Sequence, residues 1–146
     1  MDSEVMRKNA ESRDRLLALV EPLDEQILHQ QVEGEWTIAA LLAHVAFWDQ
    51  ICVVRWDAFS NGGSLADVPD VLIEFINEAN MPTWQALPGR AAVDLLRQAM
   101  EELDAQIAGL PDTAVQAATS SGFTYMLDRT GHRDEHAAQI TEFLAQ

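Results

Sequence analysis

Residues 35–48, EWTIAALLAHVAFW, form an apolar stretch with one histidine, and this stretch decides the fold. Thr37 has the hydroxyl of a helix N-cap, and Trp36 before it is placed to pack against Leu41 as a hydrophobic staple. We predict a helix from there to about Phe59, because the Ser-Asn-Gly-Gly run that follows is a helix stop. One side of this helix carries Ala40, Leu41, His44, Phe47, Trp48 and Ile51 at helical spacing.

Three more long helices are predicted around this one. The first is capped by Asp2 or Ser3 and runs to about Val20, and the others cover about 91–108 and 127–145. No segment has the alternating pattern of a strand, and no Asn-Gly or Asp-Gly pair marks a hairpin. The sequence therefore predicts an all-α protein.

The connections between these helices are less regular. Residues 23–35 are interpreted as a short helix and a loop, and 70–79 as another helix. The prolines at 69, 82 and 88 are expected to interrupt the rest of the 64–89 segment. Residues 112–124 are small and polar and are expected to be a connection.

Length and composition fit one domain over residues 1–146. Nine Lys and Arg stand against 24 Asp and Glu, so the net charge is −15 and disfavours nucleic acid and anionic lipid as partners. We see no apolar run long enough to span a membrane and no signal peptide, and we expect a cytoplasmic protein. The single cysteine, Cys52, excludes an internal disulfide.

Three of the four histidines stand where a bundle could bring them together. His44 lies in the apolar stripe of its helix, and His132 and His136 are four residues apart, on one face of the last helix. Buried imidazoles need partners for their nitrogens, and a shared divalent metal would satisfy one nitrogen of each. The alternative is three histidines held by hydrogen bonds alone. Candidates for a fourth ligand or a hydrogen-bond acceptor are Asp128, Asp49 and Gln139, although Asp128 also fits a favourable charge at a helix N-terminus.

These motifs resemble the DinB-like (DNA-damage-inducible) family, which shares a superfamily with bacillithiol- and mycothiol-dependent enzymes. The similarity extends from Trp36 to Phe143. In the first motif, Trp36-Thr37 is followed by Leu41, Leu42 and His44. The second motif contains His132, Glu135, His136, Gln139 and Ile140, and Asn77 and Asn80 add to the resemblance. One departure is Gly131, which lowers helix propensity next to His132 and predicts a kink or a helix start close to that residue.

The resemblance implies a four-helix bundle with short extra helices in its connections and a divalent metal bound by His44, His132 and His136. It implies Zn or Ni first and Fe or Mn as alternatives, a small-molecule substrate, a bacterial source and a homodimer. Members are similar to metal-dependent hydrolases or to enzymes that transfer low-molecular-weight thiols. The catalytic residues stay unassigned, with Asp128 and Glu135 as candidates. A second hypothesis is a non-catalytic binding or scaffold protein with a structural or vestigial metal.

Residues 132–136 also match the H-x-x-E-H pattern of inverted zinc peptidases, with Glu135 as the general base. Peptidases of that kind are typically much larger chains that supply an acidic metal ligand downstream of the motif. Here Glu142 is the only acidic residue after His136. We therefore interpret Glu135 as a residue of the helix surface or beside the ligands. Cys52 is interpreted as a buried core residue, and His29 as a surface or loop residue. Arg55, Arg90, Arg129 and Arg133 are candidates for binding an anionic thiol, or else solvated charges.

Overall fold

Four long helices form a bundle in the computed structural model, which describes all 146 residues. They are α1 (Ser3–Val20), α3 (Ile38–Ser60), α5 (Gly89–Ala108) and α7 (Thr130–Leu144). Helix α3 packs on α5 and α7, and α1 packs on α5 and α7. The predicted all-α four-helix bundle is confirmed. The connections contain α2 (Glu25–Leu28), β1 (Gln31–Glu33), β2 (Trp36–Thr37), α4 (Asp70–Ala86), α6 (Asp112–Ser120) and a 3-10 turn (Thr124–Met126).

Side-chain caps explain where α1 and α3 begin. The Asp2 carboxylate accepts the Glu4 N–H at 2.8 Å, and the Thr37 hydroxyl accepts the Ala40 N–H at 3.0 Å. Each bond satisfies one of the helix-terminal N–H groups that have no partner within the helix. Helix α3 ends just before Gly62, whose φ of +88° is available to glycine at little cost. Both caps and this end agree with the sequence prediction.

Helix α5 has no N-cap of its own, and α2 supplies one. The Glu25 carboxylate accepts the N–H groups of Gly89 and Arg90, both at 2.8 Å. A Cβ at position 89 would lie 2.7 Å from the Leu28 side chain, so the close approach of the two helices requires glycine there. These contacts fix the start of α5 against α2.

Two connections contain more helix than was assigned to them from the sequence. Helix α4 does not stop near residue 79 but continues through Pro82 to Ala86, because Met81 and Trp84 are buried against Ala40 and Ala43 of α3. This burial outweighs the backbone hydrogen bond that proline cannot make. Residues 112–120, predicted only as a connection, form α6, whose small residues Ala114 and Ala118 pack into the core.

Two further differences lie at the ends of elements. Helix α7 begins at Thr130 instead of Leu127, because the preceding residues make the 3-10 turn and put Met126 and Leu127 into the core. This start close to His132 is one of the two outcomes that Gly131 predicted. A short antiparallel pair of strands, β1 and β2, was not predicted; it leads directly into the N-cap of α3.

Helix α3 is the most apolar element. By length and composition it is able to cross a membrane, with a mean hydropathy of 1.5 over its most apolar window, which the sequence prediction did not recognise. In the folded chain 67% of that window is buried, as in the core helix of a bundle. Its buried residues belong to three apolar clusters: Val45 and Ala46 lie in the first, Cys52 and Val53 in the second, and Ala40 and Ala43 in the third.

Candidate metal centre

The three histidines of the predicted site converge between α3 and α7. His44 Nε2 lies 3.0 Å from His132 Nε2, and His136 Nε2 lies 3.2 Å from that same atom. His44 and His136 are each only 8% exposed. The three ligand atoms all lie within 4.8 Å of one another, so the three side chains are close enough together to bind one metal ion. The sequence prediction that these side chains meet is confirmed.

Hydrogen bonds behind two of the rings decide which nitrogen faces inward. Asn77 Oδ1 accepts the indole N–H of Trp48 at 2.9 Å, which identifies this atom as the amide oxygen. The same oxygen lies 3.2 Å from His44 Nδ1, so that nitrogen is the donor and Nε2 carries the lone pair. His136 Nδ1 donates in the same way to Gln139 Oε1 at 2.7 Å. Gln139, which the sequence suggested as a fourth ligand or a hydrogen-bond acceptor, is therefore the acceptor for His136.

Two of the three separations between the nitrogens fit one small cation. With metal–nitrogen bonds of about 2.0–2.1 Å, ligand nitrogens are about 2.9 Å apart at right angles and about 3.3–3.4 Å apart in a tetrahedron. The separations from His132 Nε2, 3.0 and 3.2 Å, lie in this range. The lone pairs of His44 and His136 both face His132 Nε2, and a shared ion would satisfy all three atoms. Neutral imidazoles suit Zn, Ni and Fe.

Burial keeps the rings of His44 and His132 neutral. It lowers the pKa of His44 to about 4, with a smaller contribution from the charge of His136. Burial also lowers the pKa of His132 far below its usual range, and the guanidinium of Arg129 lowers it further. That guanidinium stands 3.4 Å from His132 Nδ1. Metal ligands must be deprotonated, so these two rings are ready to bind at neutral pH.

A cavity of about 580 Å³ opens onto the three histidines. Trp36 stands edge-on to His44, with ring centroids 5.2 Å apart, and forms part of the wall. Three carboxylates line the cavity and no lysine or arginine does. Coordination by three side chains beside an open cavity is typical of a catalytic metal site, whereas structural sites are closed by four. The acidic wall residues are Glu33, Glu135 and Glu142.

A second buried polar cluster lies next to the histidines on the same two helices. Asp49 is fully buried and binds both Arg129 and Arg133, at 2.8 Å each. Arg133 also binds Asp104 of α5, at 2.9 Å. The interpretation of Arg129 and Arg133 as solvated charges is therefore wrong, because α3, α5 and α7 enclose them. Asp49 reaches the histidines only through Arg129.

The remaining candidates have separate positions. Asp128 accepts the N–H and the hydroxyl of Thr130, so it acts at the start of α7 and lines neither cavity beside the histidines. Glu135 is exposed and lines the larger cavity. Cys52 is buried in the core, which raises the pKa of its thiol. His29 ends α2 near the surface, where its ring nitrogens contact the carbonyl oxygens of Glu25 and Leu87.

The sequence analysis missed two contributors to the site. Asn77 was recognised only as a residue shared with the DinB-like family. Its position behind His44 depends on the packing of α4 against α3. Arg129 was considered only as a charge for an anion, whereas it contacts His132. Unlike the four-residue spacing of His132 and His136, no local sequence pattern indicates that Asn77 and Arg129 contact the histidines before the fold is known.

Comparison with known proteins agrees with this geometry. A family model described as the DinB superfamily matches residues 9–142. No curated protein and no solved structure matched the chain. The family match covers all of α3 and α5, most of α1 and α7, and each of the three histidines. This protein therefore belongs to the DinB superfamily.

Proposed function

We propose that this chain is a metal-dependent enzyme, a hydrolase or a low-molecular-weight-thiol transferase, in which His44, His132 and His136 hold a divalent ion. The observation that carries this proposal is the convergence of three histidine Nε2 atoms at the wall of an open cavity. A divalent metal with an open coordination position supplies Lewis acidity and lowers the pKa of a bound water or thiol. The metal would be Zn or Ni, with Fe and Mn as alternatives.

The side chains behind the ligands orient the site. Asn77 and Gln139 hold His44 and His136 in the tautomer that presents Nε2 inward. Such outer partners fix ring orientation and raise ligand basicity. Trp48 fixes Asn77 in turn through its indole N–H. The chain thus keeps two ligands preorganised before any ion arrives.

Glu135 is the residue best placed to move a proton. It lies one residue before His136 on α7 and lines the same cavity. Its carboxylate would accept the proton of the attacking water or thiol, a role that needs a group within hydrogen-bond reach of the nucleophile. Asp128 is engaged with Thr130 and is not proposed for this role. The acidic wall favours hydrolysis of a neutral or cationic group over attack by a strongly anionic thiol.

A second candidate function has its own observation. A single proton on His132 Nε2 would hydrogen-bond to both neighbouring rings, at 3.0 and 3.2 Å, while Arg129 donates to Nδ1. This arrangement would satisfy the three histidines without an ion. It supports a non-catalytic binding or scaffold protein, and a homodimer would suit that role equally.

Activity after metal reconstitution tests the two candidates. The protein would be loaded separately with Zn, Ni, Fe and Mn and assayed with ester, amide and phosphoester substrates and with thiol acceptors. We expect turnover with at least one ion and its loss in Glu135→Gln at unchanged metal content. Glu142→Gln, which alters the same cavity wall, is the matched control and should retain most activity. A metal-loaded protein that turns over none of these classes would contradict the enzyme hypothesis.

A further inference from the structure

A smaller cavity of about 300 Å³ lies beside the larger one and shares part of its wall. His44, His132 and Ile73 line both cavities, so the histidines stand between them. The volume is at the low end of the range for ligand pockets. A molecule that reacts at the histidines can therefore extend into this second space.

The wall of the smaller cavity is mainly apolar. Trp48, Ile51 and Val68 contribute side chains, and Cys52 adds a thiol that burial keeps protonated by raising its pKa. The larger cavity differs, since three carboxylates line it. The transfer of an apolar group from water is therefore more favourable into the smaller cavity than into the larger one.

Arg55 is one of two arginines in this mainly apolar wall, and its side chain is held in place. Its guanidinium donates to the Tyr125 hydroxyl at 2.8 Å and to the carbonyl oxygen of Ala66. It also lies over two aromatic rings, at 5.2 Å from the centroid of Phe123 and 5.6 Å from that of Tyr125. These contacts fix its position without neutralising its charge.

No carboxylate pairs with Arg55, although the chain carries 24 acidic residues. Arg129, the other cation in the wall, is bound by Asp49. Arg90 also has no ion pair, but its guanidinium donates to three backbone carbonyls away from this cavity. Arg55 Nε is buried and finds no acceptor in the protein. The two terminal nitrogens of Arg55 each make one hydrogen bond within the protein, so each keeps an N–H for an acceptor that a ligand supplies.

We infer that the smaller cavity binds the apolar, acidic part of the substrate, with its carboxylate on Arg55. This inference rests on the proposed function for the reacting group, which lies at the histidines in the larger cavity. The substrate class is then a compact apolar acid joined to the group that reacts. Arg55 acts in specificity, because it distinguishes an acid from its neutral analogue.

Binding of 4-phenylbutyrate and its neutral amide, 4-phenylbutanamide, tests the inference. Both would be titrated by calorimetry into the full chain with metal and after treatment with chelator. We expect the acid to bind about tenfold more tightly than the amide in both states, as a hydrogen bond to a charged group provides. Arg55→Gln should remove this preference, and Arg90→Gln, which changes the other unpaired arginine, should keep it. Nuclear Overhauser effects should connect the phenyl protons to the Trp48 indole.

Three results would overturn the inference. The first is equal binding of acid and amide, and the second is no contact between the probe and Trp48; both are seen in the parent protein and need no variant to fold. The third is a preference for the acid that Arg55→Gln retains, and if chelation removes that preference the carboxylate binds the metal. A preference that depends on Arg55 in a protein that binds no metal would support this cavity while contradicting the proposed enzyme.

Discussion

Two buried polar clusters lie side by side on α3 and α7, and they differ in how completely they are satisfied. In the charged cluster, each of the five N–H groups of Arg133 has an acceptor among Asp49, Asp104 and the Asn9 carbonyl. In the histidine cluster, two lone pairs face a third nitrogen, and a cavity opens beside them. The first cluster is closed and the second is open.

The difference separates structure from function. A closed set of charges holds helices together and leaves nothing for a ligand, and here it connects α1, α3, α5 and α7 through Asn9, Asp49, Asp104 and Arg133. Buried ring nitrogens whose lone pairs have no partner raise the free energy of the folded state unless another group supplies that partner. Perturbing the charged cluster should therefore change stability, whereas perturbing the histidines should change binding.

The largest expected effect is on folding, from Asp49→Ala. It leaves Arg129 and Arg133 buried without their shared carboxylate, which should lower the free energy of unfolding by about 3–5 kcal/mol. Urea denaturation of the metal-free protein measures this change. A loss below about 1 kcal/mol, as for an exposed pair, would show that the cluster does not hold the bundle together.

Acid should destabilise the metal-free protein through its histidines. The folded pKa of His44 is lowered to about 4 from an ordinary value of 6.5, so the unfolded chain binds more protons between these values. Stability is therefore complete above pH 6.5, falls as the pH drops, and loses up to about 3 kcal/mol by pH 4 from this ring. Denaturation in chelator at several pH values should show a steeper acid loss in the parent than in His44→Gln. Equal slopes would contradict the assignment.

Asn77→Ala should weaken metal binding without removing the ligands. It takes away the acceptor behind His44, and losses of such partners cost about 10–100-fold in metal affinity. Asn80→Ala is a matched control on the same helix, since Asn80 bonds only to the Ile76 carbonyl. Competition with a chelating dye measures both affinities. Equal affinities for the two variants would remove Asn77 from the site.

The smallest effect is expected at the surface. Glu11→Ala breaks an ion pair with Arg7 in which both side chains are at least half exposed, and it should leave the free energy of unfolding almost unchanged. Urea denaturation beside Asp49→Ala gives the comparison directly. A surface loss as large as the buried one would show that exposure does not separate the two pairs.

Local sequence signals predicted much of the fold and the three histidines. The N-cap at Thr37 and the spacing of His132 and His136 depend on residues close together in the chain, and both were confirmed. Helix α4 was cut short because Pro82 is a local stop, whereas the burial of Met81 and Trp84 that carries the helix past it is a tertiary effect.

The surroundings of the histidines could not be predicted for the same reason. Asn77 is 33 residues from His44, and Arg55 is 70 residues from Tyr125. Their contacts exist only once α4 and the turn before α7 have packed against α3. The sequence alone indicated ordinary helix-surface charges at Arg129 and Arg133, because their shared partner, Asp49, lies on another helix.

Metal content tests the central claim most directly, namely that the open cluster is completed by an ion. The untagged protein would be reconstituted with Zn, Ni, Fe and Mn, freed of excess ion and analysed by elemental mass spectrometry beside His44→Ala and His136→Ala. We predict about one divalent ion per parent chain and little in either variant, with helical circular dichroism retained in all three. A parent that holds none of the four ions, or variants that hold as much as the parent, would contradict the account.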